Sequence, residues 1–215
     1  PIANNGIDIK NFPKSRDLKF NSTSKMLEDT SLINHIKQNS MKETPDILVF
    51  KNDETITGNA DKQGFKLINS DFKLNIKLEN KIEFAKFVDT LDFFKQPEYE
   101  IFEKLTDVDF KTANTKFGNN FVIQFIFGHS GNSTFFIESE TQLDELKLKY
   151  PQRKAKVSKK IDGIPYTVNA CITKVGIIVG GISEQITGIK ELTSSKGGTI
   201  GNDYLQRHLN EDIRK

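Results

Sequence analysis

The run from Phe121 to Ile137 constrains this chain more than any other: Phe-Val-Ile-Gln-Phe-Ile-Phe, then Gly-His-Ser-Gly-Asn-Ser, then Thr-Phe-Phe-Ile. Apolar segments of this length, rich in Phe and Ile and bounded by turn formers, read as buried strands. The insert between them, Gly128 to Ser133, is small and rich in accessible backbone N–H groups, the chemistry that cradles phosphate oxygens. The run therefore reads as strand, glycine-rich loop, strand: a flap able to close over a nucleotide. A plain hairpin turn is the competing reading, although the insert is longer than a tight hairpin needs.

What surrounds this run decides how much of a fold it has to work with. At 215 residues there is room for one large domain or two small ones. The hydrophobic share of 36% and charged share of 28% are those of an ordinary globular protein. With Trp absent and 17 Phe, aromatic burial rests on phenylalanine. The net charge of +2 comes from interspersed Lys, Asp and Glu, which gives no electrostatic case for nucleic acid or an anionic membrane as partner. Cys171 stands alone, so no internal disulfide forms, and a reducing, cytoplasmic setting is expected. No apolar run approaches the ~18 residues of a membrane span. A chain opening on Pro1 rather than Met reads as a processed or excised piece.

The segment before about residue 25 is polar and lacks periodicity. A helix is expected after Asp29 or Thr30, with Leu32, Ile33 and Ile36 on one face. Asp46–Phe50 and Phe65–Ile68 read as strands joined by a polar connector, a spacing that suggests parallel pairing in an α/β unit. Leu78, Ile82, Ala85, Val88 and Leu91 recur at steps of three and four, predicting one amphipathic helix. A weaker helical pattern covers 107–117. Ser139-Glu-Thr-Gln142 reads as a capping box ahead of Leu143, Leu146 and Tyr150, with Pro151 ending the helix. Strands follow at 154–161, 165–173 and 175–185. In the second of these, Tyr166, Val168, Ala170 and Ile172 should face one way, and Thr167, Asn169 and Cys171 the other. Thr193–Gly201 reads as a long loop, and Asn202/Asp203 as a helix start.

No single motif carries chemistry by itself. Gly128–Thr134 lacks the Gly-Lys-Ser/Thr ending of a P-loop and is followed by a strand. It also fails as a Gly-x-Ser-x-Gly elbow, because Asn132 holds the second glycine position and no helix follows. An esterase built on Ser130 is thereby the weakest alternative. Lys81, near a helix start, would ordinarily lie on a solvated face. His35, His129 and His208 show no metal-ligand spacing with Cys171.

Taken in order, these pieces resemble the ATP-grasp superfamily of carboxylate–amine (or thiol) ligases over about residues 45–215. Glu79-Asn-Lys81 is similar to the family's first nucleotide-contacting lysine motif. Phe121–Gln124 looks like the strand that usually carries a second lysine, and Gly128–Phe136 like the glycine loop over the β- and γ-phosphates. Val157-Ser-Lys-Lys-Ile161 resembles the hinge that meets the adenine edge, and Gly163-Ile-Pro-Tyr-Thr-Val168 the strand after it. Thr187–Thr193 and Gly197–Asp203 look like a substrate-side loop.

The resemblance implies an α/β (α+β) fold. A partial Rossmann-like unit with the N-terminal segment (1–70) would precede an incomplete two-layer ATP-grasp fold, with the flap subdomain at 71–156 and a second subdomain from 157 to 215. ATP would be held by Lys81, Gln124, Gly128, His129, Ser130, Gly131, Asn132, Ser133, Thr134, Lys159, Lys160, Ile161 and Asn169. Glu191, Thr193, Thr199, Asn202 and Asp203 would lie toward a small-molecule carboxylate or amine substrate.

The departures carry information too. Gln124 stands where the family's second lysine is usual, and Pro165 where a ribose-binding Glu is usual, with Asn169 as a substitute for the latter. The carboxylates that hold Mg²⁺ in the family have no counterpart before Lys215, so they are expected beyond it, and this chain is expected to bind nucleotide weakly and catalyse little by itself. A non-catalytic nucleotide-binding or regulatory module is the alternative.

Overall fold

The computed structural model describes residues 22–128, 133–194 and 196–205, and the chain divides into two units, Pro1–Leu78 and Glu79–Lys215. The polar segment before residue 22 lies outside the described residues.

In the first unit, α1 (Thr23–Met26) leads into α2 (Thr30–Asn39), whose N-cap Asp29 accepts the Leu32 N–H at 2.8 Å. This satisfies one orphan donor of the first turn, and Leu32 and Ile33 are buried as the spacing predicts. Strands β1 (Asp46–Ile47) and β2 (Lys66–Leu67) pair in parallel, Asp46 with Lys66 and Ile47 with Leu67. They are shorter than the apolar runs suggest. Beyond Ile47 the Asn69 side chain replaces a partner strand: its Oδ1 accepts the Val49 N–H at 2.9 Å and its Nδ2 donates to Val49 O at 2.7 Å.

The polar connector is a helix, α3 (Glu54–Gln63). Asp53 caps it by accepting the Ile56 N–H at 2.8 Å, and Gly64 ends it at φ 71°, a conformation glycine adopts without steric cost. Its Ile56 and Ala60 join Leu27, Ile33 and Phe65 in a small core.

The single helix expected around 78–91 is two helices, α4 (Phe72–Glu79) and α5 (Lys81–Asp89). Apolar periodicity continues across the break, but Asn80 sits in extended backbone and its Oδ1 accepts the N–H groups of Ile82 and Glu83, each at 3.1 Å. A side chain that competes this well for helix donors starts a new helix.

The second unit also holds β3 (Tyr99–Phe102), a 3₁₀ turn (Leu105–Asp107), α6 (Phe110–Phe117), β4 (Phe121–Phe125), β5 (Thr134–Ile137), α7 (Glu140–Lys149) and β6 (Ala155–Lys159). These strands form an antiparallel sheet in the order β3-β6-β4-β5. One face is the core: Phe121, Ile123, Phe125, Ala155 and Val157 pack against Leu105, Val108, Ala113, Phe117, Leu143 and Leu146. By strict alternation the other face carries Val122, Gln124, Thr134, Phe136, Lys156 and Ser158. At the start of α7 the cap is shifted from a standard capping box: Ser139 Oγ accepts the Gln142 N–H, while Gln142 Oε1 accepts the N–H of Glu138 rather than of Ser139.

A second antiparallel sheet orders β7 (Tyr166–Thr173), β8 (Gly176–Thr187) and β9 (Thr199–Asp203). The alternation expected along β7 is interrupted by an irregularity between Val168 and Ala170, opposite Gly180. A Cβ at Gly180 would sit 3.1 Å from Asn169 O, a tight approach that favours glycine there. The predicted helix start at Asn202/Asp203 is instead the end of β9, paired with Glu184 and Gln185 of β8.

Candidate functional site

The cap on α5 fixes where Lys81 begins its reach. Its backbone N–H donates to Ile126 O at 3.0 Å, tying the helix start to the chain just past β4. Its ammonium then donates to Gly128 O at 3.1 Å and to Ser133 Oγ at 3.0 Å. Lys81 therefore joins both ends of the glycine-rich insert. The solvated-face reading fails, since Lys81 is partly buried and burial pulls its pKa below the usual lysine value, opposed by Glu79. The two ends also touch: a Cβ on Gly128 would lie 2.0 Å from Ser133 Oγ. Only glycine fits that contact. His129, Ser130, Gly131 and Asn132 lie outside the described residues.

Gln124 projects from the same sheet face and donates through Nε2 to Thr134 Oγ1 at 3.2 Å. The register sets Lys156 directly across from it on β6. Sequence pattern does not single out Lys156. Its ammonium lies 5.5 Å from the Tyr99 ring centroid, a cation–π contact. Burial, reinforced by the charge of Lys81, holds its pKa below the ordinary lysine value. Tyr99 in turn donates to Asp89 Oδ2, and Gln96 donates to Asp89 Oδ1 and to Ala85 O. Burial and the hydrogen bond to Asp89 push the Tyr99 phenol up to about 12.

The hinge candidates occupy a different place. Lys160, Ile161 and Pro165 line a cleft of about 610 Å³ whose walls include Phe136, Glu138, Gln185 and Lys196. The Lys159 N–H already donates to Glu98 O at 3.1 Å, and Lys160 pairs with Asp162 at 2.8 Å, which raises the Lys160 pKa. Lys196 closes one side through a 2.8 Å ion pair to Glu138, whose carboxyl is lowered by that hydrogen bond. Gly197 packs edge-on, with its Cβ position 3.1 Å from the Phe136 ring. Of the two phenylalanines on the flap strand, Phe135 meets Phe125 in the core while Phe136 lines the cleft.

Asn169, Glu191, Thr193, Thr199, Asn202 and Asp203 line neither place. Asn169 is exposed on β7 beside Gly180. Asn202 Oδ1 accepts from Ser183 Oγ at 3.4 Å, and Asp203 Oδ1 accepts the Leu205 N–H at 2.8 Å. Among the described residues there is no group of three or more His, Cys, Asp or Glu able to hold a metal ion, so they do not fit the Mg²⁺ that the family resemblance implies. Among the described residues no helix is long and apolar enough to cross a membrane.

No protein-family model matches the chain, and no curated protein matches it significantly. Solved structures do. D-alanyl-alanine synthetase A from Vibrio cholerae is 14% identical, with a TM-score of 0.59 over 79% of this chain and 55% of that one. Carboxyaminoimidazole ribonucleotide synthase from Aspergillus clavatus, solved with ATP, is 10% identical, with a TM-score of 0.62 over 87% of this chain and 47% of that one. A RimK domain ATP-grasp protein from Sphaerobacter thermophilus is 14% identical, with a TM-score of 0.50 over 68% and 57%. The chain thus has the mixed α/β fold of ATP-grasp enzymes and spans about half the length of the structures it matches. At these identities the likeness is one of fold.

Proposed function

We propose that the chain binds ATP as the nucleotide-binding part of an ATP-grasp ligase. The observation that carries this reading is Lys81, which grips both ends of the glycine-rich insert from a separate helix. That sets a cation at the two described ends of the insert, where a phosphate chain would be met. The cleft beside Lys160 and Ile161 is the matching place for the base, with Phe136 as an apolar wall. Because the Lys159 N–H is engaged by Glu98, main-chain contact with an adenine edge falls to 160–161. Thr134 and Gln124 offer neutral donors to the phosphates.

In the whole protein, a carboxylate oxygen of the substrate attacks the γ-phosphorus and ADP leaves with the bridging oxygen. An amine or thiol then adds to the acyl carbon of the acylphosphate and inorganic phosphate departs. The residues described here bind and orient the nucleotide for that attack. The Mg²⁺ ligands that the resemblance assigns to the family are not among them. The neutral Gln124 favours the second reading, a nucleotide-binding module without catalysis.

A thermal-shift titration tests the binding. ATP at about 100 times its Kd adds about 2.7 kcal/mol of stability, and Lys81→Met should abolish most of the shift. A flat response to millimolar ATP would refute the reading. Formation of ADP and an acylphosphate by the whole protein separates ligase from silent module.

A further inference from the structure

The face of the four-stranded sheet opposite its core carries a lateral row: Thr134 on β5, Gln124 on β4, Lys156 on β6 and Ile101 on β3, each the register partner of the next. Adjacent strands lie about 4.8 Å apart, so a lysine side chain on β6 is long enough to turn toward either neighbour, Tyr99 on β3 or Gln124 on β4. Lys81 enters the same region from α5, at the Gly128–Ser133 contact.

Two lysines converging on one partly buried place is a costly arrangement unless an anion joins them. Among the described residues, neither ammonium has a carboxylate within ion-pair distance. Lys81 rests on a carbonyl and a hydroxyl, and Lys156 on the face of Tyr99. Tyr99 is itself fixed by Asp89, which also holds Gln96. Burial lowers the pKa of both lysines, and at Lys156 the charge of Lys81 adds to it; Glu79 opposes the shift at Lys81 and Asp89 opposes it at Lys156, without cancelling either.

We infer that Lys156 and Lys81 form a two-lysine clamp on the phosphate chain of the nucleotide, Lys156 turning from the Tyr99 ring on β3 toward β4 to place its charge beside the neutral Gln124. Gln124 and Thr134 then act as neutral donors between the two charges. This inference rests on the nucleotide reading proposed above and names a residue for it that sequence pattern alone does not single out.

Calorimetric titration with ATP, adenosine and inorganic tripolyphosphate tests it on the wild type, on Lys156→Met and on the double variant Gln124→Lys/Lys156→Gln. Loss of a charge-assisted contact predicts that Lys156→Met weakens ATP and tripolyphosphate about tenfold or more and leaves adenosine unchanged. The double variant moves the charge across one strand and should recover most of the affinity. It also decides the matter should the single variant fail to fold.

Binding of ATP that depends on Lys81 but is indifferent to Lys156 overturns the clamp and leaves the nucleotide reading intact. Tripolyphosphate binding that depends on Lys156, with no ATP binding, keeps the clamp and removes the nucleotide. Failure of the wild type to bind either ligand ends both. A Lys156 that merely lays its stem over Tyr99 would give wild-type affinity for every ligand.

Discussion

The two sheets of the second unit use similar apolar residues in opposite ways. In the four-stranded sheet, Phe121, Ile123 and Val157 are completely buried between strands and helices. In the three-stranded sheet, Ile172, Ile177, Ile178 and Val179 are at least 61% exposed. Strand formation in the first is driven by burial, whereas the second is held mainly by its ladder and turns, which contribute less net stability per group. Three of the candidate phosphate contacts, Gln124, Thr134 and Lys156, are mounted on the first sheet, where packing fixes their strands. A site that must hold charges in register gains from rigid neighbours.

Substitutions should expose that contrast. Phe121→Ala ought to cost about 3–5 kcal/mol by chemical denaturation, because the ring leaves a cavity in a closed core. A loss below about 1 kcal/mol would mean that the four-stranded sheet is not the stable element. Asn80→Ala removes the acceptor for two helix donors and should cost about 1 kcal/mol, read in the same assay, with ATP affinity falling as Lys81 loses its fixed origin.

The effect of pH is smaller and has a definite sign. Burial sets Lys81 and Lys156 below the unfolded value of 10.5, so the unfolded chain binds more protons in the window between. Denaturation curves should show stability rising as pH climbs through that window toward 10.5, and Lys156→Met should flatten the rise. Smallest of all, Ile178→Ala should stay within about 0.5 kcal/mol; a large loss would show that the exposed face of β8 is covered in solution.

Much of this architecture can be read in the residues. The cap at Asp29, the parallel β1–β2 pair, the β4–β5 pairing and the α7 stripe of Leu143 and Leu146 follow from period and cap chemistry. What escapes has physical causes. α3 is polar on most of its surface and shows itself only through Asp53 and Gly64, and the break at Asn80 is hidden because apolar spacing runs straight through it. Leu48 and Phe50 look like strand residues bound for a core, yet both are exposed, because Asn69 takes the Val49 backbone groups and the strand stops at Ile47.

The candidate site is legible in part. Lys81 meets Gly128 and Ser133, Gln124 meets Thr134, and Lys160 and Ile161 line a cleft. Lys156 is not legible, since alternation along β6 says only that it shares a face with Ser158. Knowing that this face meets Gln124 and Lys81 requires the strand order β3-β6-β4-β5, which no local pattern encodes. The substrate-side candidates fail to converge because β9 is a strand, and its pairing with β8 directs Asn202 to Ser183.

The most direct measurement is an amide-resolved NMR titration with ATP. The account predicts saturable shifts at Lys81, Gly128, Thr134, Lys156 and the 160–161 hinge, with Ile177–Val179 unmoved. Shifts confined to β7–β9, or none at millimolar ATP, would contradict it.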